Sequence, residues 1–220
     1  MFYRNYGKRL LDVLGAVAGL VVLAPLLLVV AIAVKCTSKG PALFGQKRIG
    51  KDGATFTIWK FRSMVSGADQ MGPLITASGD SRITATGRFL RRSKIDEFPQ
   101  LWNVLIGDMS FVGPRPELPV YVRDYTPEQR GVLAVRPGIT DLAAVAYRHE
   151  EEILAKAADR ERFYREVILP HKLALNLEYI RNLSFRFDLV LIFRTVGAIF
   201  RRSDSNAGTS ETPGNSSSIV

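Results

Sequence analysis

Val13–Val34 reads VLGAVAGLVVLAPLLLVVAIAV, 22 residues without a charge, and the fold turns on what that run becomes. As a straight helix it would be about 33 Å long, enough to cross a bilayer core. A signal peptide has a shorter apolar core, and the KCTSKGP that follows offers no small-residue cleavage pattern. A core helix apolar on every face would need a larger domain around it. The run is therefore read as entering a membrane. Pro25 lies in its middle, lacks a backbone donor and crowds the carbonyl four residues back. Arg4, Lys8 and Arg9 precede the run, and Lys35, Lys39, Lys47, Arg48 and Lys51 follow it, so neither end carries the polarity of an external flank. The economical reading is a helix that breaks at Ala24-Pro25 and returns to the side it entered. A kinked spanning helix with a short tail outside stays open beside it.

Around this segment the composition is that of a folded chain. The 220 residues favour one domain with attachments, and 47% hydrophobic against 23% charged residues excludes wholesale disorder. Cys36 is a single cysteine and forms no internal disulfide; His149 and His171 are too few for most histidine metal sites. The net charge of +9 is uneven: residues 1–94 hold 15 Lys/Arg against 4 Asp/Glu, and residues 95–220 hold 15 against 17. The basic half calls for an anionic partner: nucleic acid, a phospholipid surface or a phosphorylated substrate.

Ala42–Ile49 and Ala54–Phe61 are strand-like and joined by GKDG, whose Asp52-Gly53 suits a hairpin turn. Residues 63–81 are polar and glycine-rich and read as a mobile loop. Ile83–Lys94 is helix-like and dense in arginine, and Asp96–Ile106 continues with Phe98, Leu101, Trp102 and Leu105 at helical spacing. Thr126-Pro127-Glu128 is a helix start. Asp159–Asn182 reads as a helix interrupted or kinked at Pro170. Ser184–Arg202 mixes large apolar residues with Arg186, Asp188 and Arg194, which suits an interfacial helix or an ordinary core helix. From Ser203 the chain turns to Ser, Thr, Gly and Asn, the composition of a disordered tail.

GQKRIGKDG (45–53), WKFRSM (59–64), GPRPE (113–117) and RPG (136–138) hold basic residues beside glycine and proline. That is one way to bring a rigid guanidinium to a phosphate, although a turn or a solvated strand end explains any one cluster equally well. No P-loop or dinucleotide fingerprint is present. Asp96-Glu97 follows the arginine-rich segment, with Pro99 favouring a helix start. A carboxylate there can act as nucleophile toward phosphorus, as a Mg²⁺ ligand or as a helix cap.

FGQKRIG, WKFRSM, SKIDEFPQLWNVLIGDMSFVGPRPE and VRPGIT, in this order after a proline-broken apolar segment, resemble the monotopic phosphoglycosyl transferases, the bacterial sugar transferase family. The resemblance covers about residues 5–202. It implies transfer of a sugar-1-phosphate from a UDP-sugar donor to polyprenyl (undecaprenyl) phosphate, with release of UMP and dependence on Mg²⁺. The setting it implies is the first membrane step of surface glycan synthesis, at the cytoplasmic face of the bacterial inner membrane. Asp96 then stands as the nucleophile that forms a covalent phosphosugar and contacts Mg²⁺, with Glu97 as its partner. Lys60 and Arg62 lie in the family's basic strand, Arg115 in its phosphate loop and Arg136 in the RPG motif. Arg148 keeps an expected arginine, Asp188 matches an acidic position in the SFxxDL pattern, and Arg88 and Arg91 face membrane or phosphate. The fold class implied is α+β, mostly helical with a small β-hairpin. Its parts are a re-entrant membrane helix over 1–39 broken at Pro25, a cytosolic catalytic domain over 40–202 with interfacial amphipathic helices, and the tail over 203–220.

This chain departs from many members in having Ala24 where they place serine before the membrane proline. It also reads RPGITDLAAVAYRHEEE, with Asp141, Ala144 and Tyr147 where they carry smaller or amide-bearing residues. The sugar is not legible, although the C-terminal third leans toward an N-acetylated amino sugar. Membrane phospholipid and a homodimer are expected contacts, and nucleic acid is not. The competing readings are a membrane-tethered nucleic-acid-binding protein and a catalytically silent scaffold. Salt-dependent oligonucleotide binding would mark the first, and loss of the carboxylate pair the second.

Overall fold

The structure is a computed structural model and describes residues 3–147 and 149–204. A π-turn at Tyr3–Gly7 leads into α1, Lys8–Thr37. Pro25 lies inside α1 and the helix continues through it, so the expected break at Ala24-Pro25 is absent as a gap in helical backbone. The physical reason is modest in scale. Proline removes one hydrogen bond of the ladder, while long aliphatic neighbours on both sides sustain the turns around it.

Both halves of α1 rest on the same body. In the first half, Arg9 donates to the Val104 and Leu105 carbonyls at 2.6 and 2.8 Å. Asp12 accepts from Ser110 Oγ and the Phe111 amide, each at 3.0 Å. Gly19 brings the helix so near Leu101 that a Cβ there would lie 3.1 Å from its Cδ1. In the second half, Val30 and Val34 are buried with Phe61 and Leu90. Between and around these contacts Val21, Val22, Leu28, Val29 and Ile32 are exposed. By length and composition α1 is able to cross a membrane.

β1 (Leu43–Ile49) and β2 (Thr55–Phe61) form the expected antiparallel hairpin, with Phe44 opposite Lys60 and Arg48 opposite Phe56. Its turn places Asp52 and Gly53 at φ 55° and 80°, the left-handed region that Asp tolerates and Gly favours. On β2 the side chains of Phe56, Ile58 and Lys60 share a face by period two. The segment 63–81 is pinned rather than free-standing. Ile75 and Ala77 are buried with Tyr121 and Leu154, and Arg82 grips Asp80 and the carbonyls of Ala68 and Pro73.

Thr84 caps α2 (Ala85–Ser93) by accepting from the Gly87 amide at 2.9 Å. Gly87 admits no side chain, because a Cβ would lie 1.9 Å from the Ser63 carbonyl oxygen. Lys94 then turns the chain at φ 59° into a 3₁₀ turn, Ile95–Glu97, followed by α3, Gln100–Ile106, which ends at Gly107 with φ 98°. β3 (Ser110–Val112) and β4 (Gly138–Thr140) form a parallel pair that the sequence reading does not contain. It brings GPRPE beside RPG, and it requires glycines: a Cβ on Gly138 would meet the Gly113 nitrogen at 2.1 Å.

α4 (Pro119–Val122) precedes a 3₁₀ turn at Gln129–Ala134, where Thr126 and Gln129 exchange reciprocal side-chain-to-backbone bonds. α5 (Leu142–Ala146), α6 (Glu150–Ala155) and α7 (Arg160–Phe163) are short. A π-turn at Tyr164–Ile168 joins α7 to α8, Leu169–Arg181, without a gap in helical backbone, so the helix read over Asp159–Asn182 is present and is interrupted by the π-turn just before Pro170. α9 runs Phe185–Asp204, so Ser203 and Asp204 belong to a helix and not to the tail; residues 205–220 lie outside the described residues. Leu191 of α9 is buried with Val112 and Tyr179, while Phe185, Val190 and Phe193 are exposed. The helix thus has both the core-packed and the open apolar faces that its sequence left undecided.

Candidate active site

The 3₁₀ turn before α3 and the β2 strand converge on one buried cluster. Glu97 is 8% exposed, and its Oε1 accepts from Lys60 Nζ at 3.1 Å and from Arg115 Nη2 at 2.6 Å. Arg115 Nη1 reaches Glu97 Oε2 at 3.4 Å. Burial pushes the Glu97 carboxyl up, but Arg115, Lys60 and Lys94 together hold it well below the usual glutamate range. Glu97 in turn makes Arg115 grip its proton more tightly. Lys60 moves the other way: burial lowers it to about 8, against the pull of Glu97.

Asp96 is 6% exposed, and its Oδ1 is buried without a hydrogen-bond partner. Burial, and then the charge of Glu97, push this carboxyl above the usual aspartate range, opposed by Lys60, Lys94 and Arg91. Two adjacent carboxyls are thereby set apart, one saturated by cations and one left with a free oxygen.

Arg48 comes off β1 toward the same loop. Its Nη1 donates to the Pro116 carbonyl at 3.1 Å and lies 3.7 Å from Glu117, and Gln46 Oε1 accepts from its Nε and Nη2. Glu117 also accepts from Tyr164 OH at 2.6 Å. Arg48 is therefore an inward-held cation and not a solvated strand end. Arg48, Glu117 and Lys94 sit inside quoted motifs, but their charges point nowhere in one dimension; the hairpin register and the Lys94 left-handed turn aim them.

The other residues singled out from sequence fall elsewhere. Arg62 is 6% exposed and closes the end of α1, donating to the Ser38 carbonyl at 2.7 Å, to Ser38 Oγ at 2.8 Å and to the Pro41 carbonyl. Arg91 pairs with Glu151 at 2.5 Å, and Arg136 Nε donates to the Gly107 carbonyl at 2.8 Å. Arg88 is exposed and donates to the Ile83 carbonyl at 3.3 Å. Asp188 accepts from Tyr3 OH, Lys8 Nζ and Tyr179 OH at 2.6, 2.5 and 2.8 Å, which ties α9 to the start of α1. Arg148 lies outside the described residues. Asp141 is fully buried, and it caps α5 by accepting from the Ala144 amide while Oδ2 stays unbonded.

Among the described residues no group of three or more His, Cys, Asp or Glu converges as a metal cage. Mg²⁺ does not need one, since it keeps several waters and uses one or two carboxylates plus substrate phosphates. The unbonded Oδ1 of Asp96 fits that pattern, and Glu97, engaged by two cations, fits it less well.

The site is a buried carboxylate pair held by cations, in a chain that also carries one helix long and apolar enough to cross a membrane. The chain belongs to the bacterial sugar transferase family, whose model matches residues 3–202. It is 37% identical over 195 residues to the UDP-N-acetylgalactosamine-undecaprenyl-phosphate N-acetylgalactosaminephosphotransferase of Aeromonas hydrophila, covering 87% of this chain and 43% of that protein. With the UDP-glucose:undecaprenyl-phosphate glucose-1-phosphate transferase of Caulobacter vibrioides it shares 40% over 196 residues, 87% of this chain and 69% of that one. An exopolysaccharide production protein of Rhizobium leguminosarum bv. phaseoli is 39% identical over 197 residues, 86% of this chain and 92% of its own length. The chain spans 39–43% of the Aeromonas, Klebsiella pneumoniae and Escherichia coli relatives it matches.

Proposed function

We propose that this chain transfers a sugar-1-phosphate from a UDP-sugar to polyprenyl phosphate through a covalent intermediate on Asp96. The observation that carries the reading is the division of labour in the dyad: Glu97 is held by Arg115 and Lys60, and Asp96 Oδ1 is buried and free. An Asp96 oxygen attacks the phosphorus that bears the sugar. The bond from that phosphorus to the bridging oxygen breaks, its electron pair leaves with UMP, and an aspartyl phosphosugar remains. An oxygen of the acceptor phosphate then displaces Asp96, which returns as a carboxylate while polyprenyl diphosphosugar departs. A nucleophile that holds the phosphosugar splits the transfer in two, so the soluble donor and the lipid acceptor need not be bound together.

Arg115, Lys60 and Arg48 supply fixed positive charge for the phosphates, and a preorganised cation stabilises developing charge with little reorganisation. The Asp96 carboxylate would hold the Mg²⁺ expected of the family, which neutralises phosphate charge when bound. Relatives with similar identity are named for N-acetylgalactosamine and for glucose, so overall identity does not choose the sugar.

The same reading places the chain in one leaflet of the bacterial inner membrane, on its cytoplasmic side. Both halves of α1 rest on one body, which supports a helix held on one side of the bilayer over one that carries its ends to opposite faces. The exposed apolar side chains of α1 and α9 and of Phe89, Trp102 and Ile106 supply the lipid-facing surface. The test is a panel of UDP-sugars with undecaprenyl phosphate and the purified protein, read as UMP release. Release that requires the lipid phosphate and one class of donor is expected. Salt-dependent oligonucleotide binding without UMP release would instead favour a nucleic-acid partner.

A further inference from the structure

Gln100 is the first residue of α3, and it is 0% exposed with both Nε2 and Oε1 lacking a hydrogen-bond partner. A buried amide left unpaired costs stability, so its retention calls for a reason. Its surroundings follow from the rungs on either side. α3 and β2 run in opposite directions: Glu97 meets Lys60, and six residues further Asn103 accepts from the Trp59 amide at 3.1 Å and donates to the Thr57 carbonyl at 2.7 Å. Gln100 lies between these rungs, on the face of α3 that carries Asn103 and Val104. Phe98 and Pro99 have right-handed helical backbone, so helical geometry extends from the 3₁₀ turn into α3. Gln100 thus follows the Glu97–Lys60 rung by three residues and Asp96 by four, about one turn along the helical run, a range at which side chains of neighbouring turns can meet.

We propose that Gln100 is a positioning residue for Asp96: its Nε2 turns to donate to Asp96 Oδ1, its Oε1 accepts from Lys60, and the reactive carboxylate is held in one orientation. Lys60 gives one of three ammonium hydrogens to Glu97, which leaves donors for Gln100. The pairing would give a partner to Asp96 Oδ1 and to both polar atoms of Gln100. It rests on the proposed role of Asp96, and it assigns to Gln100 a function rather than a contribution to the core.

Gln100→Met keeps the length of the side chain and removes both polar atoms. If the amide serves Asp96, the variant unfolds at the same temperature as the wild type or higher, because an apolar isostere relieves an unpaired group. The kcat for UMP release falls about ten- to a hundredfold with KM for the UDP-sugar nearly unchanged, the mark of a misplaced nucleophile. An unchanged kcat, or a kcat lost in parallel with thermal stability, would overturn the proposal. The second measurement needs no turnover: the side-chain amide resonances of Gln100 in ¹⁵N-labelled full-length protein should move upfield in Asp96→Asn. No movement counts against the bond. A wild-type protein that releases no UMP would remove the proposed reaction, and the resonance shift would still decide whether Gln100 holds Asp96.

Discussion

Glu97 binds Arg115 and Lys60 while its neighbour Asp96 keeps a buried oxygen unbonded. The pair therefore titrates in opposite senses, with Glu97 held ionised and Asp96 pushed up by burial and by Glu97 itself. Asp96→Asn should abolish both UMP release and covalent labelling by a radiolabelled donor while leaving the thermal transition in place. Labelled Asp96→Asn protein would disprove the assignment of the nucleophile.

Glu97→Gln leaves Arg115 and Lys60 facing a neutral amide. Removing one partner of a buried ion pair costs more than the pair contributes, typically about 3–5 kcal/mol. The sign of the pH effect follows from the direction of the shift. Folded Glu97 binds its proton more weakly than unfolded Glu97, so its contribution is full above the ordinary glutamate range and is lost as pH falls through and below it. Denaturant unfolding at a series of pH values should show a shallower acid slope in Glu97→Gln than in the wild type. Equal slopes would remove Glu97 as the source.

Lys60 sets the basic limit. Its folded value of about 8 lies below the ordinary lysine range, so the cation beside the dyad is lost within two units above neutrality. We expect kcat/KM for the UDP-sugar to fall with a midpoint near 8, and the fall to move upward in Lys60→Arg, whose guanidinium stays charged. A basic limb at the same pH in Lys60→Arg would point to another group.

Arg62 was read from its motif as a phosphate ligand, and its bonds close the end of α1 instead. Arg62→Ala should lower stability by about 2–4 kcal/mol through the loss of charge-assisted bonds to partly buried oxygens. KM for the donor in the folded fraction should stay near that of the wild type. A selective rise in KM with unchanged stability would restore the substrate role.

The hairpin was legible because alternation and Asp52-Gly53 are local, and the dyad because DEFPQLWNVL carries a helix start and two carboxylates in one line. For Arg62 and Asp188 a motif names the charge but not the oxygen or ammonium it meets. Those partners lie 24 and 180 positions away, at Ser38 and Lys8. The β3/β4 pair escaped for a different reason. Each strand has three residues, too few for a period, and what joins them is the close approach of Gly113 and Gly138. At Pro25 the helical backbone runs on without a gap, since the aliphatic run around it outweighs one missing hydrogen bond.

Asp188 gives a second structural test. It gathers Tyr3, Lys8 and Tyr179 from both ends of the chain, and the Lys8 and Asp188 side chains are only 14% and 5% exposed. Asp188→Ala strands a buried ammonium and should cost roughly 3 kcal/mol. Limited proteolysis should then cut first before α1, where the clamp is lost. Proteolysis indistinguishable from the wild type would show that the clamp does not hold the N-terminus.

The final prediction concerns the side of the membrane on which α1 begins. A helix of 30 residues is about 45 Å long at ~1.5 Å per residue and could cross a ~30 Å core if straight. Yet Arg9 and Asp12 hold its start, and Val30 and Val34 its end, against one body. A crossing would carry one set of these contacts to the other face, stranding the Arg9 guanidinium and the Asp12 carboxylate without their bonds. With both ends held on one body, α1 lies shallow in one leaflet, where its exposed Val21, Val22, Leu28 and Val29 meet lipid. A cysteine placed at Asn5, in a background where the exposed Cys36 is replaced by serine, reports the outcome. In intact cells an impermeant thiol reagent should leave position 5 unlabelled, and permeabilisation should expose it. Pro25→Leu restores the missing ladder bond and favours a straight helix, so some labelling from outside is expected in that variant. Strong labelling of the parent protein in intact cells would establish a crossing helix and sink the one-leaflet arrangement, while the chemistry at Asp96 would stand.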